Sequence, residues 1–212
     1  MSVPVRTITQ MKVKYKDVFH LKNMYVMMHE YLIEEGFLDE SGTHGQEGHN
    51  YIEKLYMEKF CQKGLHAGGK EMWIWWRTIK KPETKYQGYY QYHLDIDFHV
   101  VYAQSPEKKA KDAQVLISQG KKIPNLIFGE VEMFFKAWIE ADYNNQWETH
   151  PFLKHFHKLY YTRVLSHEFD KREKELWRDV FKLTSKVKRF LNMRTFIPTP
   201  EPFWRPIYGY EA

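Results

Sequence analysis

Four side chains at strict two-residue spacing, His93, Asp95, Asp97 and His99, form the most site-like group in the chain. Imidazole and carboxylate are metal ligands, and alternate residues of a strand share one face, where the next strand can add a donor. The plainer reading is a solvated sheet face. Lys12, Lys14, Lys16 or Lys136 can then neutralise the carboxylates across strands. Positions i and i+2 of a straight strand lie roughly 7 Å apart, which is long for two short side chains to share an ion. The metal reading is therefore the minor one. Glu130, Glu132, Glu140 and Asp142 are the other acidic group. Paired carboxylates do acid–base work when their surroundings differ, but nothing in the sequence sets two of them beside a cleft. Cys61, the single cysteine, lacks any local nucleophile signature and reads as packing. No catalytic or cofactor motif is specific enough to name a reaction, and no cofactor is expected.

Aromatic residues make the second group. Trp75 and Trp76 must face opposite sides of a strand, which leaves Trp73 and Trp75 beside Arg77. Rings next to arginine suit a protein interface or a base-stacking platform. Phe134 and Trp138 likewise intrude on a polar face. His150, His155, His157 and His167 fall on or near the last helical region, but His155 and His157 are two apart and do not share a helix face.

These residues need elements to position them. Thr7 to Val18 alternates and predicts a half-buried strand. Leu21, Met24, Tyr25, Met28 and Leu32 make a helical stripe that Gly36 stops. Asp39 to Asn50 reads as a loop, and Tyr51 to Phe60 is open between strand and helix. Met72 to Ile79 is rich in β-formers and ends at Lys81-Pro82-Glu83. Tyr89 to Tyr102 and Gly129 to Tyr143 alternate most regularly. Between them lie a charged loop from Ser105 to Asp112, a short strand candidate from Val115 to Ile117 and a turn from Gly120 to Asn125. Thr149 is the expected N-cap of a helical region, with Pro151 in its first turn. Phe152, Phe156, Leu159 and Tyr160 start its apolar stripe, and Phe169, Leu176, Val180, Leu183, Val187 and Phe190 continue one. Whether Ser166-His167 interrupts the helix is open.

The expected fold class is α+β: an antiparallel sheet, an early amphipathic helix and a long C-terminal helix packed on one face. Residues 1–194 are expected to form one domain, and 195–212 a Pro- and aromatic-rich arm carrying Phe203, Trp204, Tyr208 and Tyr210. A disordered tail is usually poor in aromatics, so this arm is expected to dock. The net charge of +5 is too mild to mark a dedicated nucleic-acid binder. Lys182, Lys186, Lys188, Arg189 and Arg194 are a candidate contact for an acidic partner, although basic residues at a helix end also complement its dipole. One cysteine excludes an internal disulfide framework, and no apolar run is long enough to span a bilayer. Met1 to Thr7 lacks a signal-peptide core, so a cytoplasmic location is the default.

The segments GGKEMWIWWR, YYQYHLDIDFH and FGEVEMFFKAWIEADY, with the basic helix after them, resemble an uncharacterised protein family of small-genome archaea. The resemblance spans roughly residues 10 to 195 and implies no activity, since that family has none assigned. The element order is also similar to the helix-grip fold of START-related lipid-binding proteins, which implies an apolar cavity between helix and sheet. The chain departs from that fold in showing fewer clear strands, and its aromatics are numerous enough to fill such a space. No ligand residue carries over. The leading expectation is a non-enzymatic interaction or assembly protein that self-associates and docks through its arm. A helix-grip binder of an apolar small molecule and a nucleic-acid binder using the basic helix and Trp-rich strand are the alternatives.

Overall fold

Alternation of apolar and polar residues sets the sheet. The computed structural model describes residues 3–39, 52–62, 68–84, 88–104 and 126–193. In chain order these form β1 (Val3–Thr7), β2 (Met11–His20), α1 (Leu21–Glu34), β3 (Glu53–Phe60), β4 (Lys70–Lys80), β5 (Tyr90–Gln104), β6 (Leu126–Ala141), α2 (Gln146–Thr149), α3 (Leu153–Leu159), a π-helical segment (Tyr160–Val164) and α4 (Ser166–Phe190). The fold is α+β. The segments Ser105 to Asp112, Val115 to Ile117 and Gly120 to Asn125, most of the Asp39 to Asn50 loop, and the arm beyond Arg194 lie outside the described residues.

All strand pairs are antiparallel, in the order β1-β6-β5-β4-β3. β2 also pairs with β6, so the two opening strands run in succession along one edge of the last strand. Alternate residues of β5 and β6 supply the core. Leu94, Ile96, Phe98 and Val100 meet Val131, Met133, Phe135 and Ala137, all essentially inaccessible. The β4 residues Met72, Ile74, Trp76 and Thr78 extend the same face and are buried. Within the stretch that was open between strand and helix, Glu53–Phe60 is a strand, because Tyr56 and Leu55 pair with Ile74 and Trp75 at the sheet margin.

Among the described residues the helices cover one face only. α1 buries Met24, Met28 and Leu32, and α4 buries Phe169, Leu176, Val180, Leu183 and Val187. Gly36 ends α1 as expected. It holds φ +82°, and the amides of Gly36 and Phe37 donate to the carbonyls of Ile33 and Leu32. Lys80 anchors α4 to the sheet through Asp179 at 3.1 Å.

Two expectations about the C-terminal region are corrected. Thr149 is the last residue of α2 rather than a helix cap, and its hydroxyl donates to the Asn145 carbonyl. Asp142 caps α2, its carboxylate accepting the amides of Gln146, Trp147 and Glu148, and ahead of α3 the His150 Nδ1 accepts the amides of Phe152 and Leu153. The stripe expected to open the core side of the long helix also faces the wrong way. Phe152, Phe156 and Leu159 are exposed, and Tyr160, with the neighbouring His157 and Tyr161, turns inward instead. Helical periodicity was right but cannot say which way a short helix faces. Ser166 and His167 do not themselves interrupt the helix: the π-helical turn ends at Val164, the break falls at Leu165, and Ser166 and His167 open α4.

Candidate functional site

The face of the sheet away from the helices collects most of the residues singled out in the sequence. Cross-strand register puts Lys14, Glu132, His99, Trp73 and Met57 in one row, and Lys12, Phe134, Asp97, Trp75 and Leu55 in the next. His93, Asp95, Asp97 and His99 do share this face, but each acquires its own partners. His93 Nε2 donates to Glu140 at 2.5 Å, and its ring lies parallel to Trp138 at 4.8 Å. His99 Nε2 donates to Glu71 at 2.9 Å and stacks on Trp73 at 3.7 Å. Arg77 reaches Asp95 at 3.2 Å and Asp97 at 2.7 Å, with Lys136 at 3.6 Å from Asp97. Among the described residues no three His, Cys, Asp or Glu side chains group to hold a metal ion.

The acids of β6 are distributed in the same way. Glu132 takes Lys12 at 3.0 Å and Lys14 at 2.9 Å, while Glu130 takes Lys14 at 2.5 Å. The ammonium groups, Lys14 foremost, hold the Glu132 carboxyl below its ordinary pKa. Glu140 accepts Gln91 and His93, and Asp142 serves α2. Cys61 sits at the end of β3, where its backbone pairs with Gly68 and Gly69. Trp75 and Trp76 do face opposite ways: Trp76 is fully buried and Trp75 is 42% exposed. Phe134 is partly covered by Lys12, whose ammonium lies 4.9 Å from the ring centre. At the end of α4, Lys186 sits 3.8 Å above the Tyr31 ring, and Lys188 and Arg189 occupy the last turn, where they complement the helix dipole. Arg194, Phe203, Trp204, Tyr208 and Tyr210 lie outside the described residues.

A cleft opens on the other face, and sequence reasoning singled out none of its lining residues for a site. α1 covers the middle of the sheet, where Tyr25 packs edge-on against Trp76 at 4.6 Å. Beyond it the sheet runs on to Lys70 in β4 and Gln104 in β5, leaving an open concavity of about 650 Å³. Its floor is apolar: Leu21, Met72, Ile74, Ala103 and Ile127. Its rim is polar. The Tyr25 hydroxyl donates to Glu53, and Lys70 pairs with Glu58 at 2.5 Å. Tyr56 donates to Glu58 at 3.3 Å and lies 3.5 Å from the Met72 sulfur. Burial, then the Glu53 carboxylate, pushes the Tyr25 phenol well above its ordinary pKa, so it stays a donor throughout the working pH range.

A backbone irregularity shapes this end. The β5 register shifts between Val101 and Gln104, and Tyr102 between them holds φ +65°. Glycines flank the bulge on both neighbouring strands. A Cβ on Gly69 would lie 2.9 Å from Tyr102 Cα, and one on Gly129 would lie 2.9 Å from the Val101 carbonyl oxygen. The bulge places Ala103 and Gln104 on the cleft lining. An apolar floor with a few converging polar groups is the chemistry of a small-molecule pocket.

No protein-family model, curated protein or solved structure matches the chain.

Proposed function

We propose that this protein is a non-enzymatic binder of a small, largely apolar molecule, held in the cleft between α1 and the sheet. The observation that carries this reading is the open concavity of about 650 Å³ with its apolar floor and polar rim. That volume falls in the usual range for small-molecule sites. Strand order supports it. The opening strands lie beside the last one, a meander fills the rest of the sheet, and the long C-terminal helix packs on the same face as α1, an arrangement similar to the helix-grip order. The ligand would lay its apolar body on Met72, Ile74 and Ile127 and turn a polar end to Lys22, Gln104 or the Tyr25–Glu53 pair. A cytoplasmic location belongs to the proposal; a lone thiol at Cys61 fits a reducing compartment. Among the described residues no helix is long and apolar enough to cross a membrane.

The test uses N-phenyl-1-naphthylamine, a neutral apolar dye that brightens when shielded from water. The native chain should give a saturable fluorescence increase. Ile127→Trp, which fills the floor, should abolish it while circular dichroism and thermal unfolding stay close to native. Dye binding that survives this substitution counts against the cleft.

A second reading rests on the uncovered face: a homo-oligomer interface, with the arm 195–212 docking on a neighbour. Trp75 is 42% and Met57 49% exposed there, on adjacent strands. Light scattering of Trp75→Ser combined with Met57→Ser should then show a lower mass than the native chain; an equal mass argues against it. A nucleic-acid role is not favoured, because Arg77, Lys136, Lys12 and Lys14 on this face are already neutralised by acids.

A further inference from the structure

Residues Phe152 to Val164 turn their large apolar side chains outward. Phe152 is 74% exposed, Phe156 60%, Leu159 49% and Val164 68%. The inward side is already committed. Tyr160 stacks on Trp147 at 4.3 Å, and His157 meets Tyr161 edge-on at 5.3 Å. At about 100° per residue, Phe152, Phe156 and Leu159 fall on one line of α3 and its N-cap, and Lys154 and Lys158 fall on the opposite, polar side of the helix. A stripe of that width in a protein core would be covered; here the described residues leave it open to solvent.

The charge around the stripe has one sign. No acidic residue occurs between Glu148 and Glu168, while Lys154, Lys158 and Arg163 are all exposed. An apolar line on one side of the helix with basic residues on its polar side matches a helix lying in the boundary between lipid headgroups and acyl chains. Anionic headgroups attract such residues with roughly 1 kcal/mol each.

We propose that Phe152 to Val164 docks this protein on an anionic lipid surface. Phe152, Phe156 and Leu159 insert between headgroups, and Lys154, Lys158 and Arg163 supply the positive charge that draws the segment to the phosphates. Charge selects this occupant over a second copy of the chain. Two copies of the segment would set like charges against each other, whereas an anionic bilayer complements them. The segment follows the Ala141 end of β6, whereas the cleft lies at the Gln104 end of β5, so the two are at opposite ends of the sheet. The docking surface therefore stands independently of the cleft reading.

The experiment is co-sedimentation of the full chain with vesicles of phosphatidylcholine alone and of phosphatidylcholine mixed with phosphatidylglycerol. The native protein should pellet with the mixed vesicles and stay in solution with the neutral ones. Lys154→Glu with Lys158→Glu, and separately Phe152→Ser with Phe156→Ser, should each weaken binding about tenfold or more. All four side chains are exposed, so circular dichroism should not change. The proposal is overturned by a native chain that does not pellet with mixed vesicles, by equal pelleting with neutral ones, or by full binding of the phenylalanine variant. A lower mass of that variant in light scattering, with no vesicle binding by the native chain, would assign the stripe to contacts between copies and also overturn it.

Discussion

Arg77 reaches two carboxylates of the next strand, Nε to Asp95 at 3.2 Å and Nη1 to Asp97 at 2.7 Å. Both acids are mostly covered by their neighbours, so the guanidinium offsets a repulsion that water screens poorly there. Arg77→Met should cost about 2 kcal/mol in urea unfolding at neutral pH, the usual scale for hydrogen bonds to charged groups. Burial already pushes the Asp95 carboxyl above its ordinary pKa, and Arg77 opposes that push. Without Arg77 the folded-state pKa rises further. A raised folded-state value favours the protonated fold, so the deficit of the variant should shrink as pH falls through the carboxylate range. A deficit that is flat or grows on acidification would contradict this. His157 works in the opposite sense. Burial among Trp147, Tyr89 and Tyr161 lowers its pKa from the ordinary 6.5. The unfolded chain therefore takes up the proton first, and stability is lost as pH falls through that range. His157→Phe should keep the ring packing and show a smaller drop in melting temperature between neutral and mildly acidic buffer.

At the scale of elements, the bulge in β5 depends on two residues outside it. Gly69 and Gly129 let the neighbouring strands approach Tyr102 and Val101 more closely than any side chain permits. Gly129→Ala would drive a methyl group to 2.9 Å from the Val101 carbonyl oxygen, a backbone atom with no room to yield. The expected loss is about 2 kcal/mol, within the range for overpacking, and is measured by the urea midpoint. Gly88→Ala, which meets nothing within 4 Å, is the control. The bulge was not legible in the sequence, since a glycine on one strand does not say which strand bends beside it. β5 and β6 were legible because apolar residues alternate from Tyr90 to Val100 and from Val131 to Ala141 with one side buried throughout. β3 stayed ambiguous because it lies at the margin of the sheet, with most of its residues exposed and no burial to enforce a period. α3 was misjudged for a related reason: Phe152, Phe156 and Leu159 have the correct spacing for a core stripe, and only the tertiary structure shows what they face.

At the scale of the whole molecule, the described residues form one helix layer on one face of a sheet, and the candidate surfaces arise where that layer stops. The lining of the cleft could not be read from the sequence because it joins Leu21, Tyr25, Glu53, Met72, Ala103 and Ile127 from five separate strands and helices. Each of these looks like an ordinary core or edge residue. The uncovered face was legible as polar, but its register, which decides that Arg77 rather than a lysine of β2 takes Asp95, was not. The same layering predicts how stability is distributed. β5 is hydrogen-bonded on both sides and buries Tyr90, Tyr92, Leu94, Ile96, Phe98 and Val100, so its amides are freed only when the sheet itself comes apart. α2, α3 and the π-helical turn bury no residue of their own and are held mainly by Asp142, Trp147, Tyr160 and the amide and ring contacts around them. Elements with so little buried apolar surface open locally at low free energy. Hydrogen exchange followed by mass spectrometry should therefore show peptides from 146 to 164 exchanging orders of magnitude faster than those of β5 and β6, with α4 between them. Equal protection of that stretch and of β5 would mean that the helical turn is bound into the cooperative core, and that its exposed phenylalanines are covered in solution by something that the isolated chain already carries.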